Sequence, residues 1–273
     1  MQSICGKYSE MGKFADMPCA MTVAGSDSGA GAGIQADILA MAANGVYACS
    51  AITALTAQNP DAVRRVLPSG AEFAAEQMRA VCDFYKPSAA KTGMLFDAET
   101  AAAVAEFFAA RPEIRLAVDP VLVSTSGSRL LEGDVAEILK NSLIPLAEVF
   151  TPNLDEGAAL LGADKIENVA DAARALYEKY GVPVLLKGGH LKGGAVTDVL
   201  FDENGPLEMP SARICGVDTH GSGCTLSAAI AANFAKGLGL RDACRAAREY
   251  LRAGMSAPLK VGGRNFINHF PQK

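Results

Sequence analysis

At 273 residues, half of them hydrophobic and with a formal net charge of -5, the chain can bury the core of one large α/β domain and has no basic patch suited to nucleic acid. No apolar run approaches the roughly 20 residues that cross a bilayer, and MQSICGKYSEMGKFADMP lacks the apolar centre of a signal peptide. A cytoplasmic protein acting on a small molecule is expected, with neither membrane nor nucleic acid as partner; seven cysteines without a CxxC pair fit reduced thiols, and three scattered histidines give no zinc spacing.

Residues 1–17 fit no element and are expected to form a disordered extension of a single domain over 18–273. Beyond them, short β-branched runs alternate with Ala/Leu-rich stretches, the order of a parallel sheet with crossover helices. Strands are predicted at 19–25, 46–54, 89–92, 116–119, 149–151 and 183–187. Helices are predicted between them at 33–43, 71–84, 97–110, 133–142, 154–161 and 168–180. The rhythm then breaks, because 197–201 and 208–214 flank the turn Asp202-Glu203-Asn204-Gly205 and predict an edge β-hairpin. Helices at 223–236 and 240–255 precede a tail read as irregular.

In such sheets ligands collect at the carboxyl ends of the strands, and the unusual residues fall there: AGSDSGAGAG, TALTAQN, KTGML, DPV, TPNLDE and LKGGH. The first of these is no dinucleotide fingerprint. Gly29, Gly31 and Gly33 run as GxGxG with Ile34 in place of the last glycine, and no acid follows about 20 residues on to hold a ribose. No GxxxxGK[ST] occurs either. DTHGSGCT is more specific. Its glycines around Ser222 leave amides unobstructed at the start of a good helix former, an end that attracts anions.

This segment resembles the DTxGxGD signature of the ribokinase superfamily, with Cys224 replacing the final aspartate. Together with GSDxxxGAGIQAD, TALTAQN, KTGML, DPVxVxxSG, TPNxxE, LKGGH and THGxGCTLSAAIAA, it is similar to the hydroxymethylpyrimidine and phosphomethylpyrimidine kinases of thiamine biosynthesis, from residue 20 to about 268. The resemblance implies a three-layer ribokinase-like fold and a homodimer. It also implies phosphorylation of 4-amino-5-hydroxymethyl-2-methylpyrimidine, then of its monophosphate, with ATP and Mg²⁺. Carried over residue by residue, Asp37 and Gln58 hydrogen-bond the aminopyrimidine, while Gly25, Met94 and Val121 enclose it. Asp119 and Glu156 serve the Mg²⁺, and Lys187, Asn153, Asp218 and Thr219 the nucleotide. The Gly221, Ser222, Gly223 and Cys224 segment is catalytic, its amides stabilising the transferring phosphoryl group. A thiol of ordinary pKa about 8.5, lowered by the helix N-terminus, is expected to give a thiolate base at Cys224. Two other readings stay open: a pyridoxine or pyridoxal kinase, and a non-catalytic nucleotide- or pyrimidine-binding regulatory module.

Overall fold

The first strand lies third from one edge of the sheet. In this computed structural model, which describes residues 16–122, 134–189 and 195–271, β1 (Cys19–Asp27) is buried along nearly its whole length. That is why it reads as a continuous apolar run without alternation. It pairs in parallel with β2 (Tyr47–Asn59) on one side and β4 (Ala89–Thr92) on the other. β5 (Arg115–Val118), β6 (Val149–Phe150) and β7 (Val184–Leu186) continue the parallel run. Antiparallel strands close both edges: β3 (Ala62–Pro68) against β2, and the hairpin of β8 (Ala195–Asp202) and β9 (Gly205–Ala212) against β7. The order is β3-β2-β1-β4-β5-β6-β7-β8-β9.

Helices cover both faces, giving the expected three layers. On one face α1 (Gly33–Ala43), α7 (Ser222–Ala235) and α8 (Leu240–Ser256) build a core around Met41, Ile230 and Phe234. On the other, α2 (Ala71–Tyr85), α3 (Ala98–Ala109), α4 (Val135–Ile138), α5 (Leu154–Leu161) and α6 (Val169–Tyr180) bury Met78, Val104, Phe107, Leu160 and Leu176. α7 is buried along most of its length. Ala228, Ala229, Ala231 and Ala232 are all 0 % exposed, and these small residues let the helix lie close to the sheet with its N-terminus fixed at the strand ends. A leucine at position 229 is expected to overpack this contact by about 1–3 kcal/mol and displace that terminus, lowering the unfolding midpoint and kcat together.

Three expectations change. β2 runs on to Asn59, so TALTAQN lies within a strand and not beyond one, and the unpredicted β3 follows it. β3 is an edge strand bearing Arg64 and Arg65, mostly exposed on both sides, so no buried face imposed an apolar alternation. The tail is not irregular: β10 (Leu259–Val261) and β11 (Arg264–Phe266) form a hairpin whose two turn residues, Gly262 and Gly263, have φ of +57° and +84°. Paired positive φ is what a tight hairpin turn requires, and the Gly-Gly pair was its signal. The helix predicted over 133–142 is α-helical only over Val135–Ile138 and continues as a π turn through Leu143. Most of the N-terminal extension, the residues of DPVLVSTSG from 123 onward, and His190 lie outside the described residues.

Candidate active site

The carboxyl ends of the parallel strands open into a cavity of about 890 Å³. Asp119 stands at its floor, one residue beyond β5 and 3 % exposed. Its carboxylate accepts the Thr151 hydroxyl at 3.2 Å and Lys187 Nζ at 3.1 Å. Burial opposes the charge on Lys187, but Asp119 and Glu156 outweigh it and hold the ammonium above its ordinary range. Lys187 is thus a fixed cation at the end of β7. Asn153 and Glu156 form a capping box on α5: the Asn153 side chain accepts from Glu156 N at 2.9 Å and Glu156 accepts from Asn153 N at 2.8 Å. Burial pushes the Glu156 carboxyl up to about 7, with Lys187 pulling down and Asp119 adding to the push.

α7 brings its first turn to this group. Gly221 has φ +79°, and a Cβ there would lie 1.8 Å from Gly31 O, so no other residue allows the helix to start against the first glycine loop. A Cβ on Gly223 would come within 3.1 Å of Lys187 Nζ and 3.3 Å of Asp119 Oδ2. Without one, the first turn of α7, Ser222, Gly223 and Cys224, lines the same cavity as the Lys187–Asp119 pair, and the first amides of a helix have no partner within it. Thr219 and Asp218 also line the cavity. The Asp218 carboxylate accepts His220 N at 2.9 Å and lies 3.8 Å from Arg264, while Asp218 N donates to Asn265 O at 2.7 Å. The terminal hairpin therefore fastens the DTHGSGC loop, a role no sequence pattern announced.

Cys224 lines the cavity with its thiol near the Gly33 amide, but its expected ionisation is corrected. Burial is the largest influence and, with Asp37 and Asp119 adding to it, outweighs Lys91 and the Gly33 amide, pushing the thiol up to about 11. The group is a neutral thiol at pH 7 in the ligand-free protein. Sequence reasoning counted the helix terminus and could not count two carboxylates contributed by distant segments.

In the other half of the cavity Gly25, Met94, Val121 and Gln58 come together as expected. A Cβ on Gly25 would lie 2.4 Å from Met94 Cε, so the glycine is what lets the thioether cover the end of β1. Gln58 sits at a register shift between β2 and β3, a bulge that re-aims the side chain into the cavity. Asp37 does not join them. It is 0 % exposed within α1, where its carboxylate accepts Lys91 Nζ at 2.8 and 3.0 Å and the Thr22 hydroxyl at 2.6 Å. The expected contact from Asp37 to the ring is therefore replaced by a buried ion pair, since its face of α1 packs on β1 and meets Lys91 of β4.

Sequence reasoning also missed Asp27, Thr56 and His220, which surround Gln58, and the far end of the cavity. There Val196, Ile214, Leu226, Leu251 and Met255 form an apolar slot beside Arg248, whose guanidinium is held by Asp198 at 2.7 Å and Ser211 at 2.8 Å. On α8 these residues follow an ordinary amphipathic pattern, so nothing local distinguished them. Among the described residues no cluster of three or more His, Cys, Asp or Glu side chains is placed to hold a metal, and no helix is long and apolar enough to cross a membrane.

The sequence profile described as phosphomethylpyrimidine kinase matches residues 27–269. A hydroxymethylpyrimidine/phosphomethylpyrimidine kinase of Rhizobium meliloti is 46 % identical over 92 % of this chain and 96 % of its own length. A bifunctional thiamine biosynthesis protein of Geobacter sulfurreducens is 41 % identical over 91 % of this chain, which spans 51 % of that longer protein. Among solved structures, the ADP complex of Bacillus subtilis pyridoxal kinase superposes with a TM-score of 0.87 at 32 % identity, covering 94 % of this chain and 98 % of its own. With a glycine-opened helix, a buried cation and two buried carboxylates at one end of the cavity and a bulged glutamine at the other, the chain belongs to the phosphomethylpyrimidine kinase family.

Proposed function

We propose that the protein transfers the γ-phosphoryl group of ATP to the hydroxyl of 4-amino-5-hydroxymethyl-2-methylpyrimidine, and then to the resulting monophosphate, in thiamine biosynthesis. One observation carries this reading: Lys187, Asp119 and the first turn of α7 share a cavity with Gln58, Met94 and Val121. The apolar slot between Ile214, Leu251 and Met255 suits a purine, and the cradle at Gly223 suits the phosphates. Asp119 and Glu156 fit Mg²⁺, which prefers few carboxylates and keeps several waters. When bound, the ion would neutralise phosphate charge.

The chain's own residues then do the rest. Lys187 and the α7 amides hold and stabilise the transferring group, while Gln58 orients the ring so that its hydroxymethyl arm faces Cys224. In a loose phosphoryl-transfer transition state most of the stabilisation is electrostatic; the alcohol must still give up a proton, which falls to Cys224, while the second acceptor, already ionised, has none to give. One site therefore serves both steps. The fold likeness to pyridoxal kinase keeps pyridoxine as the competing substrate. Relative kcat/KM for the pyrimidine, its monophosphate and pyridoxine decides, and a preference for pyridoxine sinks the proposal.

Gln58→Leu is expected to lower kcat/KM for the pyrimidine by about 10–100-fold, because a buried polar ring edge left unpaired costs about 1–3 kcal/mol, with the KM for ATP unchanged. Chelation should abolish turnover, Mg²⁺ should restore it, and the circular dichroism melt of the chelated protein should stay cooperative at the same midpoint. The reading also includes a homodimer in the cytoplasm; sedimentation at the mass of two chains checks the first, and a single-chain mass rejects it.

A further inference from the structure

His220 Nε2 lies 3.1 Å from Asp27 Oδ2 and 3.2 Å from Gln58 Nε2. A single ring nitrogen cannot donate to the carboxylate and accept from the amide at once. Asp27 decides which it does. Its carboxylate caps the glycine loop, accepting Gly29, Gly31 and Ala32 amides at 2.8, 3.1 and 2.9 Å. Burial opposes its charge, but the His220 contact and the Gly29 and Ala32 amides outweigh it and hold the carboxyl below its usual range. Such a group only accepts, so the facing Nε2 carries the proton. The end of the Gln58 amide turned toward the imidazole must then be its oxygen.

A second contact requires the same orientation independently. Thr56 Oγ1 has one proton and donates it to Ser26 O at 2.8 Å. The opposite end of the Gln58 amide lies 3.2 Å from Thr56 Oγ1 and must therefore donate, which only its nitrogen can do. A half-turn of the amide about its last bond satisfies both neighbours and moves no other atom. One N–H and one oxygen lone pair then remain to face the cavity in a fixed order.

We propose that His220 is a positioning residue which, protonated on Nε2 and anchored on Asp27, locks the Gln58 amide with its oxygen toward the imidazole and its nitrogen toward Thr56, and thereby sets the donor and acceptor order that the site reads. The consequence for substrate rests on the reading of Gln58 as the pyrimidine contact. A 4-amino ring presents an acceptor nitrogen beside a donor amine. Its 4-oxo analogue, protonated on the adjacent nitrogen, presents the reverse order, which the locked amide rejects. A freely turning amide accepts either.

Two measurements test the proposal. In the ¹⁵N-labelled wild-type protein, long-range imidazole correlations should show His220 protonated on Nε2. His190→Asn and His269→Asn identify its signals by elimination. The opposite tautomer overturns the wiring whatever the kinetics show. In His220→Ala, the ratio of kcat/KM for the 4-amino substrate to that for its 4-oxo analogue should fall at least about tenfold, with KM for ATP within about twofold. An equal loss on both substrates, leaving the ratio intact, marks His220 as merely structural and overturns its role in specificity. Gln58→Leu separates the two ideas. If it leaves both substrates unaffected, the reading of Gln58 as ring contact fails, while the tautomer still decides the His220 wiring.

Discussion

Cys224→Ser is expected to lower kcat/KM for the hydroxymethylpyrimidine by about 10²–10⁴-fold, the range of a general base, and to lower it less for the monophosphate. Only the first substrate must surrender an alcohol proton. Because the thiol is pushed up to about 11, the thiolate is a minor species at pH 7 and grows about tenfold with each pH unit below that value. The wild-type rate with the alcohol should therefore climb with pH from 7 to 9, and the serine variant should lose that slope. Cys224→Asp restores an ionisable group whose ordinary range lies far enough below neutrality to remain largely charged at pH 8, even beside Asp37 and Asp119, so it should retain more activity than serine. Wild-type rates in the serine variant on both substrates would leave Cys224 only the role of a small residue at a crowded helix end.

Lys91→Met should destabilise the protein by about 3–5 kcal/mol, because both side chains are 0 % exposed and it leaves the Asp37 carboxyl, which burial already pushes up, without the cation that opposes that push. Present, Asp37 holds the Lys91 ammonium above its ordinary range despite burial. The double variant Lys91→Met/Asp37→Leu should recover much of the loss, since removing both partners leaves no unpaired buried group. Urea unfolding of the three proteins checks this, and a double variant no more stable than Lys91→Met would mean that the pair is not what the single change breaks. Lys91 also draws the Cys224 thiol downward while Asp37 pushes it up, so Lys91→Met should shift the rise in rate with the alcohol to higher pH and the double variant, which loses both influences, should shift it less.

The resemblance took its strength from short segments, and most of those converge. Gly25, Gln58, Met94, Asp119, Lys187 and Cys224 come from separate strand ends and one helix, yet line one cavity. Asp37 sits in an equally characteristic motif and is absent from the lining, because a motif fixes which residue is present and not which face of the helix it occupies once packed. His220 was considered only for metal spacing, and its partners Asp27 and Gln58 lie 193 and 162 residues away in the chain.

By itself the sequence determined the alternation of buried strands and crossover helices, the edge hairpin, the glycine-opened start of α7 and the chemical types at the strand ends. These depend on local periodicity, turn chemistry and backbone permissiveness, which act within a few residues. Only the tertiary structure decided that β3 and the terminal hairpin exist, that Asp37 pairs with Lys91, that the Cys224 thiol is raised and not lowered, and that His220 joins the two glycine loops. Edge strands without a buried face carry no apolar alternation to read. Pairing of charges and protons depends on burial and on distances of about 3–4 Å between segments far apart in the chain, where the local dielectric governs which group ionises.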